Sequence, residues 1–164
     1  MRRWSKRGLP SALVLEDDAQ PIEGRLGVLP ACLAELPPDW DLLYLGLRGH
    51  RLPPPTHGFK VNVLLPFLRL LRPDKYRLTR TEAARLYLRP FSEHLYRAGY
   101  HQGTHAYAVS RKGAALLHAH GLPITAPPDV YLATLIVEGR LNAFAVREDM
   151  FTTTGAPSQI TGSL

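Results

Sequence analysis

The apolar positions of the chain fall into two periods. Ala12-Leu13-Val14-Leu15 is a continuous apolar run of strand length, filled on both faces, and predicts a buried strand. It ends in three carboxylates, Glu16, Asp17 and Asp18, and Ala19-Gln20-Pro21 then reads as a turn. Leu26, Leu29, Leu33 and Leu36 recur at helical spacing. They predict a short amphipathic helix within 24–36 that Pro30 kinks or delays and Pro37-Pro38-Asp39 stops. Trp40 to Gly46 reads as a second buried strand. Strand, helix, strand in this order is a βαβ unit and favours a parallel sheet.

The pattern changes over 47–100. A Pro-rich loop around Pro53-Pro54-Pro55 leads into Val61 to Leu71, strongly apolar and edged by Lys60, Arg69 and Arg72. That stretch is either a core helix or a basic-apolar face lying on a membrane surface. The expectation is core, because apolar helix faces in soluble proteins usually are. Thr79 with Glu82 three residues on has the form of a capping box, opening a helix to about Leu88 that resumes through Phe91 to Tyr96. Residues 1–164 then read as a single domain with a helical insertion at about 47–100. Beyond it the spacing predicts a strand over Thr104 to Val109 and an N-cap at Ser110. A helix from Arg111 to His120 ends at Gly121, and an extended link through Pro128 follows. A helix from Asp129 to Glu138 and a last strand from Leu141 to Val146 complete the pattern. The small polar tail from Thr152 reads as a loop.

Composition narrows the class without choosing a function. The 164 residues, 45% hydrophobic and 21% charged, suit one globular domain with a real core. A net charge of +6 is compatible with anionic sugars, nucleotide phosphates, nucleic acid or an acidic membrane. No nucleic-acid reading motif supports the third of these, and no nucleic-acid partner is expected. Cys32 is the only cysteine, which excludes an intrachain disulfide and a cysteine zinc cluster and fits a reducing compartment. The sequence holds no signal-peptide pattern, bilayer-length apolar run, Gly-rich phosphate loop or Gly-x-Ser-x-Gly elbow.

The chemistry concentrates at Glu16-Asp17-Asp18. Three adjacent acids at a strand end repel one another unless a cation, an Arg or Lys, or open water meets them. One reading is a magnesium or manganese site shared with substrate phosphates; the other is a solvated acidic turn.

Four blocks in order, Ala-Leu-Val-Leu-Glu-Asp-Asp from Ala12, Trp-Asp-Leu-Leu-Tyr-Leu-Gly from Trp40, Gly-Thr-His-Ala-Tyr-Ala-Val-Ser-Arg-Lys-Gly-Ala from Gly103 and Pro-Pro-Asp-Val-Tyr-Leu from Pro127, resemble glycosyltransferase family 25. That family includes lipooligosaccharide galactosyltransferases and the related collagen hydroxylysine galactosyltransferases. Phe151 and Ser158-Gln159-Ile160 also resemble its ending. The resemblance implies an α/β, GT-A-like fold: a mostly parallel sheet with helices on both sides, and an acidic motif binding metal and nucleotide sugar. It implies inverting, metal-assisted transfer of a hexose, typically galactose, from a UDP-sugar to a glycan or glycolipid acceptor in lipopolysaccharide or surface polysaccharide synthesis. The setting implied is cytoplasmic, with peripheral contact at the inner membrane. By resemblance to such sites Asp18 is the best direct ligand of Mn2+ or Mg2+, with Asp17 beside it. Asp17 and Glu16 reach the sugar or ribose.

His105 is either a donor-site residue, a third ligand or a diphosphate contact, or a hydrogen-bonded structural histidine. Asp129, in the Pro-Pro-Asp block, is either the carboxylate base for the acceptor hydroxyl or a helix cap; the two are compatible. Arg111 and Lys112 are candidates for phosphate contacts. Family members carry a longer stretch before the first strand, so the resemblance also implies a chain lacking the N-terminal part and much of the uridine pocket. Sheet edges left open in that way favour a homo-oligomer. A truncated, non-catalytic carbohydrate-binding or interaction remnant of the same fold is the alternative.

Overall fold

A computed structural model describes residues 9–46, 51–101, 103–120 and 126–154, apart from the side chain of His120. The basic stretch 2–7, His50, the stop at Gly121 with the link as far as Thr125, and the tail from 155 onward lie outside the described residues. In chain order the strands are β1 (Ser11–Leu15), β2 (Ala19–Pro21), β3 (Leu42–Tyr44), β4 (Arg89–Pro90), β5 (Leu95–Arg97), β6 (Ala106–Ser110), β7 (Ala143–Val146) and β8 (Phe151–Thr153). The helices are α1 (Leu29–Glu35), α2 (57–71, with a π-helical segment at Lys60–Leu64), α3 (Arg80–Ala84), α4 (Arg111–His120) and α5 (Pro128–Glu138).

The chain is a mixed α/β structure built on a six-stranded sheet in the order β1-β6-β3-β7-β5-β4. β3 and β7 are parallel, whereas β1–β6, β6–β3, β7–β5 and β5–β4 are antiparallel. The expected mostly parallel sheet is thus corrected to a mixed one. β1 and β3 do run the same way, as the strand–helix–strand pattern predicts, but β6 lies between them. β2, expected to be a turn, pairs antiparallel with β8 in a separate two-stranded ribbon.

Side-chain alternation on β3 and β7 explains their unbroken apolar runs. Leu42, Tyr44, Ala143 and Ala145 pack on one face with Leu132, Leu135 and Ile136 of α5. Leu43, Leu45, Phe144 and Val146 pack on the other with Cys32 of α1, Met150 and Phe151. Both faces are covered, so both residue parities must be apolar. Local signals set the helix ends. Pro30 occupies the first turn of α1 behind a 3-10 turn at Arg25–Val28, so it delays the helix. Thr79 and Glu82 form the capping box, with Glu82 N donating to Thr79 Oγ1 at 3.1 Å and Thr79 N to Glu82 Oε2 at 2.7 Å. Ser110 caps α4 by accepting from Gly113 N at 3.0 Å. Pro128 opens α5, and Gly139 closes it at φ 77°, a left-handed conformation that favours glycine.

Two expectations fail on burial. β1 is a strand, but among the described residues it is an edge strand with one neighbour, and Leu13 (53% exposed), Val14 and Leu15 face solvent. None of its residues joins the two apolar clusters that cover β3 and β7. The Val61–Leu71 stretch is helical, yet only Val61 is buried; Val63, Phe67, Leu71 and above all Leu70 (80% exposed) are not core. The insertion also has a different ending. The helix opened by Thr79 stops at Ala84, and residues 89–97 form the β4–β5 hairpin in place of a resumed helix. No helix among the described residues is long and apolar enough to cross a membrane.

Candidate functional site

The acidic triplet follows β1 directly. Ala19 N donates to Glu16 O at 3.1 Å and closes a tight turn over the three acids. Because β1 pairs with β6, the residues entering β6 lie beside that turn. Glu16 N donates to His105 O at 2.9 Å, and Thr104 Oγ1 donates to Glu16 Oε1 at 2.5 Å. Thr154 N, just past β8, donates to Asp18 O at 3.1 Å and holds the far side of the turn.

His105 is 4% exposed, and its ring occupies the space above Gly46. A methyl group at Gly46 would overlap the imidazole at Nε2, so a glycine after β3 is what admits the histidine. His101 is buried deeper, its ring edge-on to Tyr44 with centroids 4.8 Å apart. Burial pushes His101 down to about 4, a backbone hydrogen bond to Gly103 opposes this, His105 adds to it and Asp129 opposes it. Tyr44 is pushed well above the ordinary tyrosine range, chiefly by burial and then by Tyr107 and Asp129. Tyr107, half-buried, is raised by burial and by Glu16.

Asp129 is half-buried in the first turn of α5, where Pro127 holds the cap position. Its Oδ1 accepts from Val130 N at 2.8 Å, so the carboxylate sits on a helix-start amide. Its field reaches Tyr44 and His101, as noted above. Glu16, Thr104, His105, Tyr107, Tyr44 and His101 therefore belong to one end of the sheet, at the carboxyl ends of β1 and β3, within reach of the Asp129 charge. In open α/β sheets that end is where ligands bind.

Asp17 is exposed and Asp18 half-exposed on the same turn. The only group of three or more ligand atoms lying within 4.8 Å of one another among the described residues is Glu35, Glu93 and His94, not the triplet. Glu35 there is committed to structure. It accepts from Ser92 Oγ, from His94 N at 3.0 Å and from His94 Nδ1 at 2.5 Å, tying α1 to the β4–β5 turn. The triplet does not form a protein-only metal cage. Its hard, accessible oxygens fit a cation held by one or two carboxylates, Asp18 and Asp17, and completed by substrate phosphates.

Arg111 and Lys112 serve structure. Arg111 donates to Leu9 O through Nε at 3.1 Å and NH2 at 3.0 Å. Lys112 Nζ donates to Asp39 O at 3.0 Å and pairs with buried Asp41 Oδ1 at 2.8 Å. Tyr44, Thr104 and Gly46 escape a sequence reading. The signal available for them is the His101-x-x-Thr104-His105-x-Tyr107 spacing around the entry to β6, together with the glycine that ends the β3 run. Two concavities, of about 230 and 330 Å³, lie elsewhere, and neither is lined by Glu16, Asp17, Asp18, His105 or Asp129. Comparison with models of known protein families, with characterised proteins and with solved structures finds no match.

Proposed function

We propose that the chain is a GT-A-like hexosyltransferase domain that transfers a hexose, galactose in the first instance, from a UDP-sugar to a glycan or glycolipid acceptor with inversion. The observation that carries this reading is the contact of Glu16 with Thr104 and His105 at one end of the sheet, within an exposed acidic turn, with the charge of Asp129 reaching neighbouring His101. In the proposed step an acceptor hydroxyl oxygen attacks the anomeric carbon as the bond from that carbon to the UDP phosphate oxygen breaks. The hydroxyl proton passes to the Asp129 carboxylate. A hydrogen bond from the Val130 amide fixes one oxygen of that carboxylate at the helix start. Glu16, held by Thr104, hydrogen-bonds donor hydroxyls, and His105 lines the diphosphate side. A Mn2+ or Mg2+ on Asp18 and Asp17, when bound, would supply neutralising charge to the leaving diphosphate. Calorimetry with UDP-galactose and manganese tests the reading. Saturable, metal-dependent binding is expected; Asp18→Ala abolishes it, while Asp129→Asn keeps it and loses transfer. Absence of binding with and without metal overturns it.

The second reading, a non-catalytic carbohydrate-binding or interaction module, is favoured by a different observation. β1 leaves Leu13, Val14 and Leu15 uncovered next to acids that do not converge. It predicts glycan binding that survives Asp18→Ala. The same open edge supports a second copy of the chain as a partner, and a strictly monomeric mass by light scattering would count against that.

A further inference from the structure

The opposite end of the sheet holds a feature that neither reading uses. Arg85, at the end of α3, Arg89 on β4 and Arg97 on β5 line a polar cavity of about 330 Å³ together with Asp39 and Asn142. Arg89 and Arg97 stand directly across from each other in the β4–β5 ladder, where like charges are unfavourable. All three side chains are half-buried. Two are held in place. Arg97 NH1 donates to Asn142 Oδ1 at 3.1 Å, and its guanidinium lies 5.0 Å from the Phe91 ring centre and 5.2 Å from that of Phe144. Arg85 NH1 donates to Val137 O at 3.3 Å, and its guanidinium fills the space that any side chain at position 139 would need. Arg89 Nε is buried and has no hydrogen-bond partner among the described residues. Burial, and then the charges of Arg97 and Arg85, pull the Arg89 pKa below the ordinary arginine range.

Among the described residues no carboxylate neutralises the group. All fourteen Asp and Glu residues of the chain lie within the described residues, and none forms an ion pair with these three arginines. Glu82, which feels Arg85, is engaged in the capping box. Asp39 is a single acid on the wall facing three cations. Leaving a buried donor unmade and three like charges together costs free energy. An anion with several oxygens in guanidinium-matching geometry removes both costs. A cavity of this size exceeds what a bare oxyanion needs, and Asp39 and Asn142 can hydrogen-bond hydroxyls.

We propose that the Arg85–Arg89–Arg97 cavity binds a phosphate group, as inorganic phosphate or as the phosphomonoester of a small polyol. The test is thermal unfolding of the whole chain titrated with sodium phosphate or glycerol 3-phosphate, with ionic strength held constant by chloride. The expected result is a saturable rise in Tm. A rise shared by both probes assigns the group itself, and a tighter response to the ester assigns a phosphomonoester as ligand. In Arg89→Met the rise is lost, while the phosphate-free Tm equals or exceeds that of the native chain because a repulsion is gone. Arg85→Gln gives the same readout should Arg89→Met not fold. Absence of a saturable response to either probe in the native chain overturns the proposal, as does an undiminished response in either variant. Asp18→Ala is expected to keep the phosphate response, and Arg89→Met to keep UDP-galactose binding, so the two sites fail or stand separately.

Discussion

At the scale of single residues, the fit of His105 against Gly46 is the sharpest constraint on the candidate site. Gly46→Ala puts a methyl group into the imidazole and should destabilise the chain by about 1–3 kcal/mol through overpacking. Adding His105→Ala should recover part of that loss, a coupling readable in a denaturant double-mutant cycle. Strict additivity would mean that the ring does not occupy that space. The acids could be placed at a strand end and Asp129 at a helix start from local pattern, whereas the roles expected of them and of His105 come from the four-block resemblance. Tyr44, His101 and Thr104 could not be grouped with them, since what unites them is the pairing of β6 with both β1 and β3, strands far from it in sequence. Lys112 shows the converse. Its place in the first turn of a helix suggests an anion site, yet buried Asp41, more than seventy residues away, already holds it.

Elements with strong periodicity were legible, and elements created by distant pairing were not. α1, α4, α5, β3 and β7 follow from apolar spacing, caps and prolines. β2, β4 and β5 span two or three residues each; β2 exists because β8 pairs with it, β5 because β7 does, and β4 because the chain folds back on β5, so no apolar pattern marks them. Burial was the harder property. The run from Val61 reads as core by composition, but Phe59, Val63, Phe67 and Leu70 form an exposed stripe at helical spacing on α2. Residues 51–81 carry seven Lys and Arg and one acidic residue, Asp74. An apolar stripe within such a basic stretch matches an anionic bilayer surface in charge and in hydrophobicity. Co-sedimentation with phosphatidylglycerol-containing vesicles is expected, and phosphatidylcholine vesicles should bind less. Phe67→Ser with Leu70→Ser should reduce binding at least tenfold with little change in stability, because both side chains are solvent-facing. Equal binding by the double variant would remove α2 as the contact.

For the molecule as a whole, the titrating groups set a stability profile whose two limbs have different owners. Glu35 is lowered to about 2 by its hydrogen bonds from His94 and Ser92, and His94 is raised above 6.5 by the same contact with Glu35. Glu93 and Arg147 act on His94 in opposite directions. His101 goes the other way, to about 4, through burial beside Tyr44. The folded state holds a proton on His94 more tightly than the unfolded chain. Its contribution is therefore complete below pH 6.5 and lost as pH rises through the folded value. The folded state resists a proton on His101, so stability falls as pH drops from 6.5 toward 4, by on the order of 2–3 kcal/mol. The Glu35 contribution is complete above 4.5 and fades toward 2. These signs place the maximum near pH 6.5. Denaturant titrations across pH should show it, with His101→Gln flattening the limb between 6.5 and 4 and His94→Gln flattening the limb above 6.5. An acid limb unchanged by His101→Gln would show that the buried imidazole does not govern the loss, and that the packing of Tyr44 on His101 is looser than the fold describes.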